Sequence, residues 1–230
     1  MAVVAAAKEL PLANEMPPTL SAGDCADGEA VWASLLASNA AFATSGERTP
    51  ADGVSVAHRQ SLSTGQAPKA VVVTCADSRL SPELLFARGL GELFVIRTAG
   101  NTAADASTVA SVEYAVKHLG SSLVVILGHT KCGAVAAAVA TAADDAAMAG
   151  EPEALAGFVR TVLTAPVRAV KERGDVAEDD FVPACEVENV KCAVRSLVTT
   201  SEWLGKARVA GKVKVVGAVY DLAKGTVGEV

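Results

Sequence analysis

Three residues combine side chains and settings suited to holding a metal ion. Cys75 directly follows the β-branched run Ala70-Val-Val-Val-Thr74, while His129 and Cys132 follow the run Leu123-Val-Val-Ile-Leu127. Two thiolates and an imidazole suit zinc, and three protein ligands leave a fourth position open for water. Each residue alone has a simpler explanation, since a lone buried cysteine packs as a small hydrophobe and a lone histidine is a hydrogen-bonding group. All three, however, fall at strand ends among small residues that permit close approach, which favours a metal.

Asp77 and Arg79 stand next to the first of these residues, in Cys75-Ala-Asp-Ser-Arg79. If that segment runs extended, residues 75, 77 and 79 project to one side. A guanidinium there can hold the carboxylate off a metal, fix its orientation and keep it ionised. Two other readings stand beside this one. The pair could be a surface ion pair of little energetic consequence, or Asp77 could supply a fourth ligand and close a structural zinc site.

For residues 54 positions apart to converge, their two runs must be neighbouring strands of one sheet. The patterning predicts strands at 70–74, 93–96, 123–127 and 212–216. It predicts helices at 30–45, around 56–62, at 105–119, after Cys132, at about 152–173 and at about 186–203, with a turn at Thr49–Gly53. Alternating strands and helices, with the strands reading as continuous apolar runs, indicate an α/β fold. Its central sheet is expected to be mostly parallel and flanked by helices, with an N-terminal helical arm. Ligands of such sheets bind in the crevice beyond the carboxyl ends of the strands. Residues 1–29, with Pro11, Pro17 and Pro18, read as an arm, extended or partly disordered, and 30–230 as a single domain.

Composition excludes several function classes. A net charge of −6 with no dense Lys/Arg stripe argues against nucleic-acid binding. No apolar run reaches the roughly 18 residues of a membrane span, so no membrane insertion is expected. The start of the chain lacks the basic lead of a secretory signal, although a trimmed organellar targeting peptide would leave no trace. Five cysteines (Cys25, Cys75, Cys132, Cys185 and Cys192) at irregular spacing fit reduced thiols in the cytoplasm better than a disulfide framework.

Taken together, Cys75-Ala-Asp-Ser-Arg79 and Gly128-His-Thr-Lys-Cys132-Gly133 resemble the paired zinc motif of β-class carbonic anhydrases. The likeness runs from about Leu62 to Val139 through Gly91-Glu-Leu-Phe-Val-Ile-Arg-Thr-Ala-Gly-Asn101, and more weakly through Gly217-Ala-Val-Tyr-Asp221. The resemblance implies one Zn2+ per chain on Cys75, His129 and Cys132, with Asp77 and Arg79 as the catalytic dyad. It implies a plant-like pocket of Gln66, Phe94 and Tyr114, with Gly100, Asn101 and Gly133 also at the substrate. The implied reaction is reversible hydration of carbon dioxide to bicarbonate by a metal-bound hydroxide. Hydrolysis of carbonyl sulfide or carbon disulfide, and a structural zinc interaction protein, are the alternatives.

Tyr114 adds a reading from periodicity. It points nearly opposite the Val109/Val112/Val116/Leu119 stripe of its helix, and so away from its own chain's core. In the family each active site is formed by two chains, which implies a homodimer or higher homo-oligomer and gives Tyr114 a partner. The 30–45 helix would then serve as an embracing arm. The Asp77–Arg79 pairing, with the metal's fourth position open, is the expected resting form.

Overall fold

The computed structural model describes residues 27–45 and 51–230; Cys25, most of the expected arm and part of the Thr49–Gly53 turn lie outside the described residues. In chain order the elements are α1 (Gly28–Ser45), α2 (Val56–Ser61), β1 (Ala70–Cys75), α3 (Pro82–Leu85), β2 (Leu93–Thr98) and α4 (Ala106–His118). They continue with β3 (Leu123–His129), α5 (Gly133–Ala143), α6 (Glu153–Phe158), α7 (Thr164–Arg173), α8 (Phe181–Thr200), α9 (Glu202–Val209), β4 (Lys214–Tyr220) and β5 (Val227–Glu229).

The described strands form one sheet in the order β2-β1-β3-β4-β5. The first four run parallel and β5 is antiparallel to β4. Central β1 and β3 are buried at every position, as their unbroken apolar runs require when helices cover both faces. Alternate residues serve opposite cores: Val72, Val125 and Leu127 pack on one face, Val71, Val73, Val124 and Ile126 on the other.

α1 is built into its own chain. Trp32 and Leu35 are buried, and the Trp32 indole N–H donates to Glu229 Oε2 at 2.7 Å. The buried Asn39 amide donates to the carbonyls of Leu85 and Gly225 and accepts from Val227 N–H. The opposite face of α1, with Ala33, Ala37 and Ala40, is exposed.

Three expectations about element bounds are corrected. The 152–173 helix contains a π turn at Val159–Leu163. Pro166 accounts for it, since it has no N–H for the carbonyl four residues back and its ring crowds that carbonyl, so the register widens just before it. The helix expected at 186–203 begins at Phe181, with Pro183 in a first turn where a missing N–H costs little. It stops at Thr200 because Ser201 caps the next helix, its side chain accepting from Leu204 N–H at 3.0 Å. The last parallel strand runs to Tyr220, beyond the expected 212–216, and the three-residue β5 was too short and too glycine-centred to be read from pattern.

No described helix is long and apolar enough to cross a membrane.

Candidate metal centre

Cys75 is the last residue of β1 and His129 the last of β3, rather than lying beyond the strand ends. The two strands are neighbours, with Thr74 paired to Leu127, so the carboxyl ends of both arrive together. Cys132 joins them after the turn Thr130-Lys131, where it precedes α5 as its N-cap residue. The ligand atoms of Cys75, His129 and Cys132 lie within 4.8 Å of one another, and all three residues are buried.

The donor set fits a cation. His129 Nδ1–H donates to the Thr130 carbonyl at 3.0 Å, which leaves Nε2 as the acceptor nitrogen. That Nε2 is buried and has no hydrogen-bond partner. The neighbouring Cys132 thiol pulls the Cys75 thiol down to about 4, against the opposing effect of burial. Cys75 in turn, with burial, pushes Cys132 up. Burial resists a charge on His129, but the neighbouring Cys75 sulfur outweighs it and raises its pKa. Two buried sulfurs beside an unpartnered imidazole nitrogen make the place a soft or borderline metal would take.

Asp77 and Arg79 meet by a different route from the one expected. The chain turns after β1 rather than running extended: Asp77 Oδ1 accepts from Arg79 N–H at 2.9 Å, and the Asp77 carbonyl accepts from Leu80 N–H at 3.2 Å. An aspartate accepting from the amide two residues on makes an Asx turn, and this folds the guanidinium back onto the carboxylate. Arg79 grips it with two prongs, Nε to Oδ1 at 2.9 Å and Nη2 to Oδ2 at 2.7 Å. The Arg79 hydrogen bond holds the Asp77 carboxyl well below the usual carboxylate range. Asp77 Oδ2 lies 3.9 Å from His129 Nε2. Arg79 Nη2 also donates to the Lys131 carbonyl at 3.2 Å, joining the two ligand-bearing turns.

Gly100 and Asn101 close the site from the end of β2. Both have positive φ, +65° and +48°, and both are buried. A Cβ at Gly100 would lie 2.9 Å from Leu163 Cδ2, so glycine is needed there for space as well as conformation. At Gly133 a Cβ would meet nothing within 4 Å, so this glycine faces open space beside Cys132.

Gln66, Phe94 and Tyr114 are not brought to their own chain's metal-ligand cluster. Gln66 is exposed and lies four residues before β1 begins, at the opposite end from Cys75; the strand alone spans roughly 17 Å. Phe94 is paired with Val71 near that same end, on the edge strand β2. Tyr114 is 46% exposed, facing out as its periodicity predicts, with its ring 5.5 Å from that of His118.

Sequence reasoning missed three residues that hold the site together. Arg97 Nη2 donates to the Asp77 carbonyl at 2.6 Å. Asn189 Nδ2 donates to the Gly100 carbonyl at 2.8 Å, and Glu186 Oε1 accepts from Cys132 N–H at 2.9 Å. Glu186 and Asn189 lie three apart on α8, and a buried face carrying Glu and Asn among apolar residues is the one signal that could have found them.

The family model described as carbonic anhydrase matches residues 70–227. The chain is 37% identical over 199 residues to carbonic anhydrase 2 of Mycobacterium tuberculosis, covering 85% of this chain and 89% of that protein. It is 37% identical over 201 residues to the carbonic anhydrase of Mycolicibacterium smegmatis, covering 86% and 91%. Among solved structures it is similar to the β-carbonic anhydrase CcaA, with a TM-score of 0.65, 26% identity and coverage of 74% of this chain and 78% of that one. It is also similar to a tetrameric β-carbonic anhydrase of the filamentous ascomycete Sordaria macrospora, with a TM-score of 0.64, 25% identity and coverage of 75% and 85%. The chain belongs to the carbonic anhydrase family, in its β class.

Proposed function

We propose that Cys75, His129 and Cys132 hold one Zn2+ per chain, and that Asp77, gripped by Arg79, orients the attack on carbon dioxide. The reaction is that of the family, reversible hydration of carbon dioxide to bicarbonate and a proton. The observation that carries this reading is His129 Nε2, buried without a hydrogen-bond partner and within 4.8 Å of the sulfurs of Cys75 and Cys132. Zinc, when bound, lowers the pKa of coordinated water to about 7 and so supplies a nucleophile at neutral pH.

The chain's own residues do the rest. An ionised carboxylate can only accept hydrogen bonds, so Asp77 fixes which way an O–H donor beside it points. Its two-pronged bond to Arg79 holds it in one orientation and off the metal, which disfavours the closed structural site. Gly100, Asn101 and Gly133 make the near wall of the substrate pocket, and their small size suits a small apolar substrate. Gln66, Phe94 and Tyr114 complete a pocket only if a second copy supplies them, since Gln66 and Phe94 lie towards the far end of β1 and Tyr114 faces out from α4. A homodimer or a larger homo-oligomer is therefore part of the reading, and the Sordaria relatives are described as tetrameric. The four described cysteines are free, which suits the reducing cytoplasm.

Metal analysis with stopped-flow carbon dioxide hydration tests the assignment. The wild type should carry about one zinc per chain. Cys75→Ser and Cys132→Ser should lose zinc and activity together, while Cys192→Ser keeps both. Full zinc retention in the first two variants would overturn the ligand set.

A further inference from the structure

Glu186 is a buried carboxylate, 5% exposed, that the mechanism above leaves unused. Burial raises its pKa, opposed by the backbone amides of Cys132 and Lys131. A buried acid is retained only with partners, and removing one side of such an arrangement leaves the other unsatisfied. Here the partner is the turn between two metal ligands, through Cys132 N–H at 2.9 Å. The same carboxylate lies at the N-terminus of α5, the positive end of the helix dipole.

That turn is strained. Lys131 has φ +56°, a left-handed conformation that an L side chain adopts only when its surroundings enforce it. Three sets of contacts do so. Thr130 N–H donates to the Tyr220 carbonyl while Thr130 Oγ1 accepts from Leu222 N–H. Arg79 donates to the Lys131 carbonyl. Glu186 takes the amide of Cys132, the ligand itself. The first two hold the turn before Cys132; among these contacts, Glu186 alone holds Cys132.

We propose that Glu186 is a positioning residue for the metal centre, locking the Thr130-Lys131-Cys132 turn so that the Cys132 sulfur faces Cys75 and His129 before a metal arrives. This rests on the reading of those three residues as a zinc site. Groups that orient ligands in this way change metal affinity by roughly 10–100-fold when removed. Glutamine at 186 keeps an acceptor oxygen for the amide, whereas alanine does not.

The test is zinc release from the purified, zinc-loaded protein to a colorimetric chelator, with folding monitored by circular dichroism. Glu186→Ala should release zinc roughly tenfold faster or more, and Glu186→Gln should stay close to the wild-type rate. Adding Lys131→Gly to Glu186→Ala should recover part of the loss, because glycine adopts the turn's backbone without strain. If alanine collapses the fold, Glu186→Met fills the space without accepting the amide and should release zinc as fast as predicted for alanine. A parallel measurement needs no metal: iodoacetamide labelling of Cys132 in the metal-free protein, read by mass spectrometry, should speed up in Glu186→Ala and not in Glu186→Gln. A wild type that holds no zinc would sink the zinc reading and leave the labelling rates to decide Glu186. Wild-type release and labelling rates in a folded alanine or methionine variant, or glutamine behaving like alanine, would overturn the positioning role.

Discussion

Asp77 can serve Arg79 or a metal, but it cannot fully engage both in one geometry. In the structure Arg79 has it, through two side-chain hydrogen bonds and the amide of the Asx turn. Arg79→Ala should therefore lower hydration by roughly 100-fold, the cost of a misplaced catalytic group, while zinc content stays near the wild-type value. The pH dependence separates orientation from charge. Arg79 lowers the pKa of Asp77, so the carboxylate is ionised in the folded protein throughout the neutral range. Without Arg79 the pKa returns towards the ordinary value of about 4, and Asp77 remains ionised there. Activity of both proteins should rise from about pH 6.5 to 9 as water at the metal titrates, the variant keeping the shape of the profile at reduced height. A flat wild-type profile, or an Arg79→Ala enzyme as active as wild type, would remove the dyad from the mechanism. The stabilising contribution of the pair follows the usual sign for a depressed acid: present above the unfolded pKa of about 4, lost as pH falls below it.

α8 is the element on which the site depends most, because it reaches the Cys132 turn, the end of β3 and the Gly100 turn after β2. Glu186 meets the Cys132 turn, Asn189 meets Gly100, and Val190 packs where Gly128 leaves β3 bare. A Cβ at position 128 would collide with Val190 Cγ2, one residue before His129. Gly128→Ala should then destabilise the protein by about 1–3 kcal/mol, the usual range for overpacking a close contact. Val190→Ala in that background should recover part of the loss, giving a positive coupling in a double-mutant cycle of urea melts. Additive effects would mean that the two residues do not share this space. Gly100→Ala tests the opposite wall, where positive φ and the 2.9 Å approach to Leu163 act together. It should lose both stability and hydration, while Gly133→Ala, with open space around it, should keep the stability of the wild type.

At the scale of the molecule, β2 forms one edge of the sheet. Phe94 is half-buried on that edge strand, and Tyr114 is 46% exposed on the helix that follows it. Gln66 and Phe94 lie towards the opposite end of β1 from Cys75 and Tyr114 faces out, so activity should depend on association. Tyr114→Arg should shift light scattering towards the monomer and lower hydration, with zinc content unchanged. An active monomer at assay concentration would separate the pocket from the assembly.

The chemistry of the centre was legible because short motifs carry it. Cys75 and His129 stand at the ends of apolar runs whose β-branched residues can only be central strands, and parallel pairing brings such ends together. Periodicity likewise placed Tyr114 on the outer face of α4, since 3.6 residues per turn is a local property of the chain. The tertiary structure decided everything that depends on contact between distant segments. It turned the Cys75–Arg79 segment into an Asx turn, docked α1 on its own sheet and added β5 as an edge too short to show in pattern. It also brought Glu186 to an amide 54 residues away, on a helix whose sequence records a buried acid but not its partner. Gln66 and Phe94 matched by spacing along the chain, but spacing fixes distance in sequence only; the direction of β1 carries them to the far end of the strand from Cys75.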